Sequence, residues 1–152
     1  MTTTVTGIEG VLALEGTDLG QTEWKAVEQD RIDTFADATD DHQWIHTDPV
    51  AAKDGPFGGA IAHGYLTLSL LIPMWTEMVE MEAISTKVNY GLNKVRFPAP
   101  VPAGSKIRLG AVVAATREVG GGGAEGVADF TVACDATAKP VCVAQAVYRY
   151  YP

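Results

Sequence analysis

An aspartate and a histidine five positions apart are the residues of this sequence best suited to chemistry. They are Asp41 and His46, in the segment DDHQWIHTDP at residues 40–49 of a chain with three histidines. A carboxylate and an imidazole held close together can share one water molecule: the carboxylate accepts a proton from the water while the protonated ring delivers another to carbon. Histidine changes its charge near neutral pH, as this role requires. The same spacing is also typical of a polar loop capped by its own side chains.

A short helix is predicted to precede this segment and a long loop to carry it. Within residues 28–39, Ile32, Phe35 and Ala36 have the spacing of an amphipathic helix, which should end before Asp40. Residues 40–59 have no regular period and contain several glycines and prolines, so we expect an ordered loop with one helical turn. Asp48, before Pro49, is suited to brace this loop.

Residues 60–80, AIAHGYLTLSLLIPMWTEMVE, predict a buried helix. Apolar side chains occur on every side of it, as in a core helix or a membrane span, but polar residues interrupt it too often for a span. Pro73 is expected to kink the helix. Gly64 falls in its first turn, where unpaired N–H groups and the helix dipole favour negative charge. This site is suited to a thioester oxygen that gains enolate character.

The C-terminal half predicts an antiparallel sheet. Val88, Tyr90 and Leu92 alternate with polar residues, and the pattern resumes out of phase at Val95, which indicates a bulge near Asn93. Three more strands follow, with GGGG at 120–123 as a hairpin tip. One apolar helix followed by four strands indicates an α+β fold in which the sheet curls around the helix. The open sheet edge and remaining apolar surface predict a homodimer.

Composition narrows the function and the location. With 152 residues and 47% hydrophobic content, we expect one domain over residues 1–152. The net charge of −8 argues against nucleic-acid binding. The N-terminal residues MTTTVTGIEG do not read as a secretion signal, so we expect a cytoplasmic protein, in which Cys134 and Cys142 stay unpaired.

Two further groups of residues have ambiguous patterns. The stretch NKVRFPAPVPAGSKIR holds Lys94, Arg96, Lys106 and Arg108 with no acid between them. These four residues could bind an anionic ligand. The pattern is equally typical of solvated charges on the outer faces of two strands. His42 and His46 have the i, i+4 spacing of metal ligands, but the segment does not read as a regular helix, so we predict no metal site.

The motifs together resemble a known family. FADATDDHQWIHTDP followed by GPFGGAIAHGYLTLSLL is similar to the MaoC-like, (R)-specific enoyl-CoA hydratases of the hot dog superfamily, whose signature is Gly-Asp-x-Asn-Pro-aliphatic-His-x-Asp. The resemblance covers residues 24–102, and DHQWIH looks like the branch that includes nodulation protein N. It implies a hot dog fold, in which an antiparallel sheet wraps around one long central helix, and a homodimer.

The resemblance also assigns roles in fatty acid metabolism. It implies addition of water to a (2E)-enoyl-CoA to give a (3R)-3-hydroxyacyl-CoA, without a cofactor. Asp41 would activate the water, His46 would be its partner in proton transfer, and the Gly64 amide would bind the thioester oxygen. A hot dog thioesterase and a non-catalytic acyl-CoA-binding dimer remain the alternatives.

Substrate contacts are expected around this centre. Lys94 and Arg96 are assigned to the CoA phosphates, and Tyr65 to the cavity wall. His63 is expected to donate a hydrogen bond to the loop backbone. The sequence departs from the signature at Asp40, Gln43 and Trp44. We expect Gln43 to support Asp41, and Asp40 to point to solvent or to cap the preceding helix.

Overall fold

The computed structural model describes residues 1–152, which form six helices and eight strands. In chain order these are β1 (Thr3–Thr6), α1 (Gly7–Leu12), β2 (Asp18–Gln21), β3 (Lys25–Ala26), α2 (Gln29–Thr39), α3 (Trp44–Thr47), α4 (Pro49–Lys53), α5 (Gly64–Ser69), α6 (Leu71–Met78), β4 (Val79–Glu82), β5 (Thr86–Arg96), β6 (Lys106–Val119), β7 (Gly123–Cys134) and β8 (Cys142–Tyr151).

The main sheet has the strand order β2-β6-β7-β8-β5, and β3 also pairs with β6. All of these pairs are antiparallel, which confirms the four long strands predicted at β5 to β8. A separate pair, β1 and β4, is parallel. The N-terminal strands were not predicted, because segments of two to four residues are too short to show a period.

The inner face of the sheet packs against α5 and α6. Phe130 of β7 is buried, and its ring centroid lies 5.3 Å from that of Trp75 on α6. The Trp75 Nε1 donates a hydrogen bond of 3.2 Å to the buried Tyr150 hydroxyl. These contacts confirm the predicted α+β arrangement of a sheet curled around a central helix.

The central helix confirms one prediction, the break in its regular part at Pro73, and contradicts another. It is interrupted at Leu70, between α5 and α6. The cause is Pro73, which lacks an N–H and crowds the carbonyl of Ser69 four residues earlier. The prediction that the helix is buried on all sides is wrong, since Tyr65 is 72% exposed and Ile72 40% exposed. None of the helices is long and apolar enough to cross a membrane.

Strand β5 has the predicted bulge and a second one. Its pairing with β8 shifts between Leu92 and Lys94, on either side of Asn93, and also between Asn89 and Gly91. The predicted hairpin tip is confirmed as well: Val119 pairs with Gly123. The glycines at 121 and 122 between them have φ angles of 78° and 71°, which other residues rarely adopt.

The four basic residues of the 93–108 stretch do not form one patch. Lys94 and Arg96 lie on β5, whereas Lys106 and Arg108 lie on β6, and both β7 and β8 stand between these strands. Three interstrand spacings amount to about 14 Å. The Arg108 guanidinium instead stacks over the Trp24 ring at 4.4 Å.

Both cysteines are free and buried, in agreement with the prediction. Burial raises the pKa of Cys142 to about 11. The thiolate is the reactive form of cysteine, so this side chain is inert at neutral pH.

Glu125 on β7 is buried between arginines of the two neighbouring strands. Its carboxylate accepts hydrogen bonds of 2.9 Å from Arg117 Nε and from Arg149 Nε. The bond from Arg117 has the largest effect, and together the two guanidinium groups hold the pKa of Glu125 below its usual value despite burial. A carboxyl with a lowered folded-state pKa stabilises the fold above its unfolded pKa, and this contribution is lost as the pH falls through the folded value.

The change Glu125→Gln should therefore reduce stability in a pH-dependent manner. We expect the Tm at pH 7 to fall by about 2–4 °C, a loss of about 1 kcal/mol, because the Arg117 partner is largely exposed and its charge is screened. The deficit should shrink as the pH falls below about 4. Thermal unfolding followed by circular dichroism measures the Tm at pH 7 and below pH 4. Glu118→Gln, which changes an exposed side chain of the same hairpin, is the control. If Glu125→Gln lowered the Tm equally at pH 7 and below pH 4, the ionised Glu125 carboxylate would not be the stabilising group.

Candidate active site

Two short helices, α3 and α4, form the loop between α2 and the central helix. Helix α2 ends at Asp40, which is exposed and has a left-handed conformation, with φ of 59°. Asp48 begins α4, and its carboxylate accepts a hydrogen bond of 3.0 Å from the Ala51 amide. The bracing role predicted for Asp48 is thus confirmed, although the loop contains one more helical turn than predicted.

His46 is buried and has one ring nitrogen free. Its Nδ1 lies 2.7 Å from the Ile61 carbonyl oxygen, and since that oxygen only accepts, Nδ1 carries the proton. The side-chain amide of Gln29 donates a hydrogen bond of 2.7 Å to the His46 carbonyl. The Ile61 carbonyl therefore holds the His46 ring, and Gln29 holds the His46 backbone. The ring nitrogen Nε2 is left for a ligand or a water molecule.

His63 joins the start of the central helix to the loop. Its Nε2 donates a hydrogen bond of 2.9 Å to the backbone carbonyl of Asp41, which confirms the predicted contact with the loop backbone. Its ring stacks on His46 with centroids 4.0 Å apart, and Phe35 covers it with centroids 4.8 Å apart. Its Nδ1 is buried without a partner. Because His63 is enclosed in this way, it acts as a support and does not line the cavity.

Asp41 lies at the surface beside the two imidazoles. One of its carboxylate oxygens is within 4.8 Å of a nitrogen of His46 and of a nitrogen of His63. A water molecule with two hydrogen bonds of about 2.8 Å at a tetrahedral angle spans about 4.6 Å. Asp41 and His46 are therefore close enough for one water molecule to contact both. The backbone amide of Gln43 approaches the Asp41 carboxylate at 3.5 Å.

A cavity of about 390 Å³ opens next to His46. The lining residues that carry polar groups beyond an apolar side chain are His46, Gly64, with its bare backbone, and Thr67. The rest of the wall is apolar: Phe57, Ile61, Ala62, Phe97, Pro98, Ala99, Pro100, Val101 and Val141. A space with so few polar groups fits an apolar chain that carries one polar centre.

Gly64 brings bare backbone to this cavity. It is the first residue of α5, so its N–H has no acceptor within the helix. A Cβ at this position would lie 3.2 Å from the ring carbons Cδ2 and Cε2 of Phe97. Glycine at this position therefore leaves room for the Phe97 ring, which packs directly against the first turn of α5.

The remaining substrate contacts assigned from the sequence do not reach the cavity within one chain. The Gln43 side chain is exposed and makes no hydrogen bond, so only its backbone meets Asp41. Tyr65 follows Gly64 by one residue, a rotation of about 100° that turns it to the helix surface. Lys94 lies in a groove on the outer face of the sheet. Arg96 is exposed and donates to the Val95 carbonyl, one residue before the cavity wall begins at Phe97.

The site contains a group with metal-ligand chemistry, but not the group considered from the sequence. Asp41, His46 and His63 come together, whereas the ring of His42 lies 3.7 Å from the Asp37 carboxylate. The planes of the stacked His46 and His63 rings differ by 23°. Their in-plane lone pairs therefore run side by side and do not converge as tetrahedral coordination requires. The absence of a metal remains a prediction.

Two parts of the cavity were not recognised in the sequence. The segment Phe97–Val101 follows β5, and its prolines end the strand and turn the chain into the wall. Thr67 lies three residues after Gly64, on the same side of the helix. The i, i+3 spacing from Gly64 was the available signal for Thr67.

Comparisons with known proteins place this chain in a family. A model for the MaoC-like domain matches residues 11–132. The 3-hydroxyacyl-thioester dehydratase Z of Mycobacterium tuberculosis is 43% identical over 147 residues, which cover 97% of each chain. Nodulation protein N of Rhizobium leguminosarum bv. viciae is 53% identical over 95 residues, which cover 61% of this chain and 59% of that protein.

The fold agrees with solved structures. An (R)-hydratase from A. caviae involved in PHA biosynthesis superimposes with a TM-score of 0.72, at 20% sequence identity, over 91% of this chain and 96% of that chain. At this identity the likeness concerns the fold, and it confirms the hot dog fold expected from the sequence.

The hydrogen bonds of the two buried histidines predict opposite tautomers. Neutral His46 should carry its proton on Nδ1 and His63 on Nε2, because each donates to a backbone carbonyl. Long-range ¹H–¹⁵N correlation spectra at pH 8 distinguish the two forms by the ¹⁵N shifts of the ring nitrogens. Exposed His42 serves as the reference for an unconstrained ring. The same tautomer at both buried rings would show that one of these hydrogen bonds is absent.

Proposed function

The chain belongs to the MaoC-like domain family, and we propose that it is an (R)-specific hydratase that adds water reversibly to a (2E)-enoyl-CoA to give a (3R)-3-hydroxyacyl-CoA. The observation that carries the proposal is the spacing of Asp41 and His46 beside an apolar cavity, within 4.8 Å of each other. The 97% coverage of a 3-hydroxyacyl-thioester dehydratase supports the same reaction read in reverse. We place the protein in fatty acid metabolism in the cytoplasm, where free thiols such as its two cysteines persist.

In the proposed mechanism, Asp41 accepts a proton from the shared water, and the water oxygen bonds to C3 of the enoyl group. The C2=C3 π electrons move to C2 and the thioester carbonyl, which gives an enolate. Protonated His46 then delivers its Nε2 proton to C2, and the carbonyl re-forms. The proton held by Asp41 passes through the next bound water to His46, which restores both groups for another turnover. Both groups act from one side of the substrate, so the addition is syn, and His46 keeps its orientation through the bond to Ile61.

The enolate oxygen is proposed to bind at the start of the central helix. The Gly64 amide lines the cavity and has no acceptor within the helix. The surrounding apolar wall lowers the local dielectric, which strengthens a hydrogen bond to a developing negative charge. Arg96, next to the cavity wall at Phe97, is our first choice for a CoA phosphate, with Lys94 further from the opening.

We also propose that two copies of the chain form a homodimer. Strand β5 is the edge of the main sheet, and its side chains are exposed on both faces, including Val88, Tyr90 and Leu92. The central helix adds the exposed Tyr65 and Ile72, and Ile72 lines one groove together with Leu92 of β5. We call these five residues the edge surface. A second copy would pair the open strand and cover the apolar groups.

Loss of the acid-base pair should abolish most of the hydration activity. We expect Asp41→Asn and His46→Gln each to lower kcat at least a hundredfold on crotonyl-CoA, because each removes positioned proton transfer with little change of shape. Loss of enoyl absorbance measures the rate, and chiral analysis of the product tests for the (3R) isomer. Asp40→Asn is the matched control, since this neighbouring carboxylate is exposed and ends a helix.

Two outcomes would contradict the proposed function. Full activity of both Asp41→Asn and His46→Gln would show that the pair takes no part in proton transfer. Release of free thiol without loss of the enoyl absorbance would indicate a thioesterase in place of a hydratase.

A charge on the edge surface should prevent dimer formation. We expect Ile72→Lys to give a monomer, because a lysine buried between two copies without a partner is strongly unfavourable. Val112→Lys is the control, since Val112 is 38% exposed, close to the 40% of Ile72, but lies on β6, three strands from β5. Analytical ultracentrifugation measures the mass. A wild-type monomer, or an Ile72→Lys dimer of unchanged affinity, would refute the proposed interface.

A further inference from the structure

Thr67 has a hydroxyl group in the cavity that the fold does not use. It lies on α5 one turn after Gly64, is 2% exposed, and contributes to the cavity wall beside His46. No hydrogen bond of its Oγ1 to the protein is formed, although its backbone amide donates normally to the His63 carbonyl at 3.1 Å. The fully buried side-chain atoms without a partner are His63 Nδ1 and Arg108 Nε, so the Thr67 Oγ1 is not sealed in the core and is open to whatever occupies the cavity.

The other serine and threonine hydroxyls in these helices form a local hydrogen bond that the Thr67 hydroxyl does not form. Serine and threonine within a helix commonly donate to the carbonyl four residues earlier. Every other serine or threonine in α2 to α6 does so: Thr34 to Asp30, Thr39 to Phe35, Thr47 to Gln43, Ser69 to Tyr65 and Thr76 to Ile72. None of these is buried. Thr67 is thus the one buried residue among them and the one whose hydroxyl does not form the local bond.

The cavity offers no protein partner for this hydroxyl. Apart from the His46 ring and the Gly64 backbone, the wall is built from aromatic, aliphatic and proline residues. A ligand is therefore the natural partner of the Thr67 Oγ1. Side chains on a helix lean towards its N-terminus, so Thr67 covers the turn that begins at Gly64. One ligand oxygen can then reach both groups.

We propose that the Thr67 hydroxyl donates the second hydrogen bond to the thioester carbonyl oxygen of the substrate, beside the Gly64 amide. This inference rests on the proposed hydratase function and extends its oxyanion site from one donor to two. During addition of water, the electron pair of the C2=C3 bond moves towards that oxygen and returns when C2 is protonated. Thr67 keeps its own proton throughout, and its bond strengthens as negative charge develops.

The variant Thr67→Val tests this role, because valine has the same branched shape without the hydroxyl. We expect kcat for crotonyl-CoA hydration to fall about a hundredfold, the scale for one oxyanion donor, with a smaller change in KM. Thr67→Ser should recover most of the activity. The Tm of Thr67→Val should stay close to that of the wild type, since the hydroxyl makes no hydrogen bond within the fold and valine keeps the side-chain shape. Thr76→Val is the control: its hydroxyl bonds to the Ile72 carbonyl on the helix surface, and its removal should leave kcat unchanged.

Three results would overturn the inference. Thr67→Val could keep kcat within threefold of the wild type. Thr67→Ser could be as impaired as Thr67→Val, which would make side-chain shape the cause. The loss of kcat could coincide with a fall in Tm, which would make it a folding defect. By contrast, an active wild type with an active Thr67→Val refutes the role of Thr67 alone, whereas an inactive wild type refutes the proposed function itself.

Discussion

Two hydrogen bonds from buried imidazoles to backbone carbonyls hold the site together. His46 donates to the Ile61 carbonyl, just before the central helix, while His63, at the start of that helix, donates to the Asp41 carbonyl in the loop. One bond is donated from the loop to the segment before the helix, and the other from the start of the helix to the loop. The two imidazole rings stack on each other between these segments. Each also satisfies a carbonyl near the core, where an unpaired polar group is costly. The loop and the helix start therefore form one unit, and the spacing of Asp41 and His46 depends on it.

The central helix contacts three different environments. Its inner side packs on the sheet through Trp75, its first turn opens into the cavity at Gly64, and a third side with Tyr65 and Ile72 is exposed. A helix that is apolar all round suits this arrangement, because only one of the three surroundings is water and the proposed dimer covers that side. The interruption caused by Pro73 lies beyond the cavity, so the turn that carries Gly64 and Thr67 keeps regular helical geometry.

The cavity places a small number of polar groups in an apolar wall. In such surroundings each hydrogen bond to a developing charge is stronger than in water, and each unpaired polar group is more costly. The same condition would strengthen the proposed hydrogen bonds from the Gly64 amide and the Thr67 hydroxyl to a substrate oxygen. Asp41, the proposed base, lies at the exposed edge of the site, while His46 lines the interior.

The sequence by itself determined the features that depend on neighbouring residues: the amphipathic helix before Asp40, the bulge at Asn93, the glycine hairpin tip, and the family motif that contains Asp41 and His46. Period and turn chemistry are local, so they can be read along the chain. Only the tertiary structure decided which long-range neighbours each residue meets. It separated Lys94 from Arg108 by two strands, turned Tyr65 away from the cavity, and left Thr67 facing it without a partner. Strand order and helix rotation relative to the sheet follow from packing of the whole chain, and no window of the sequence specifies them.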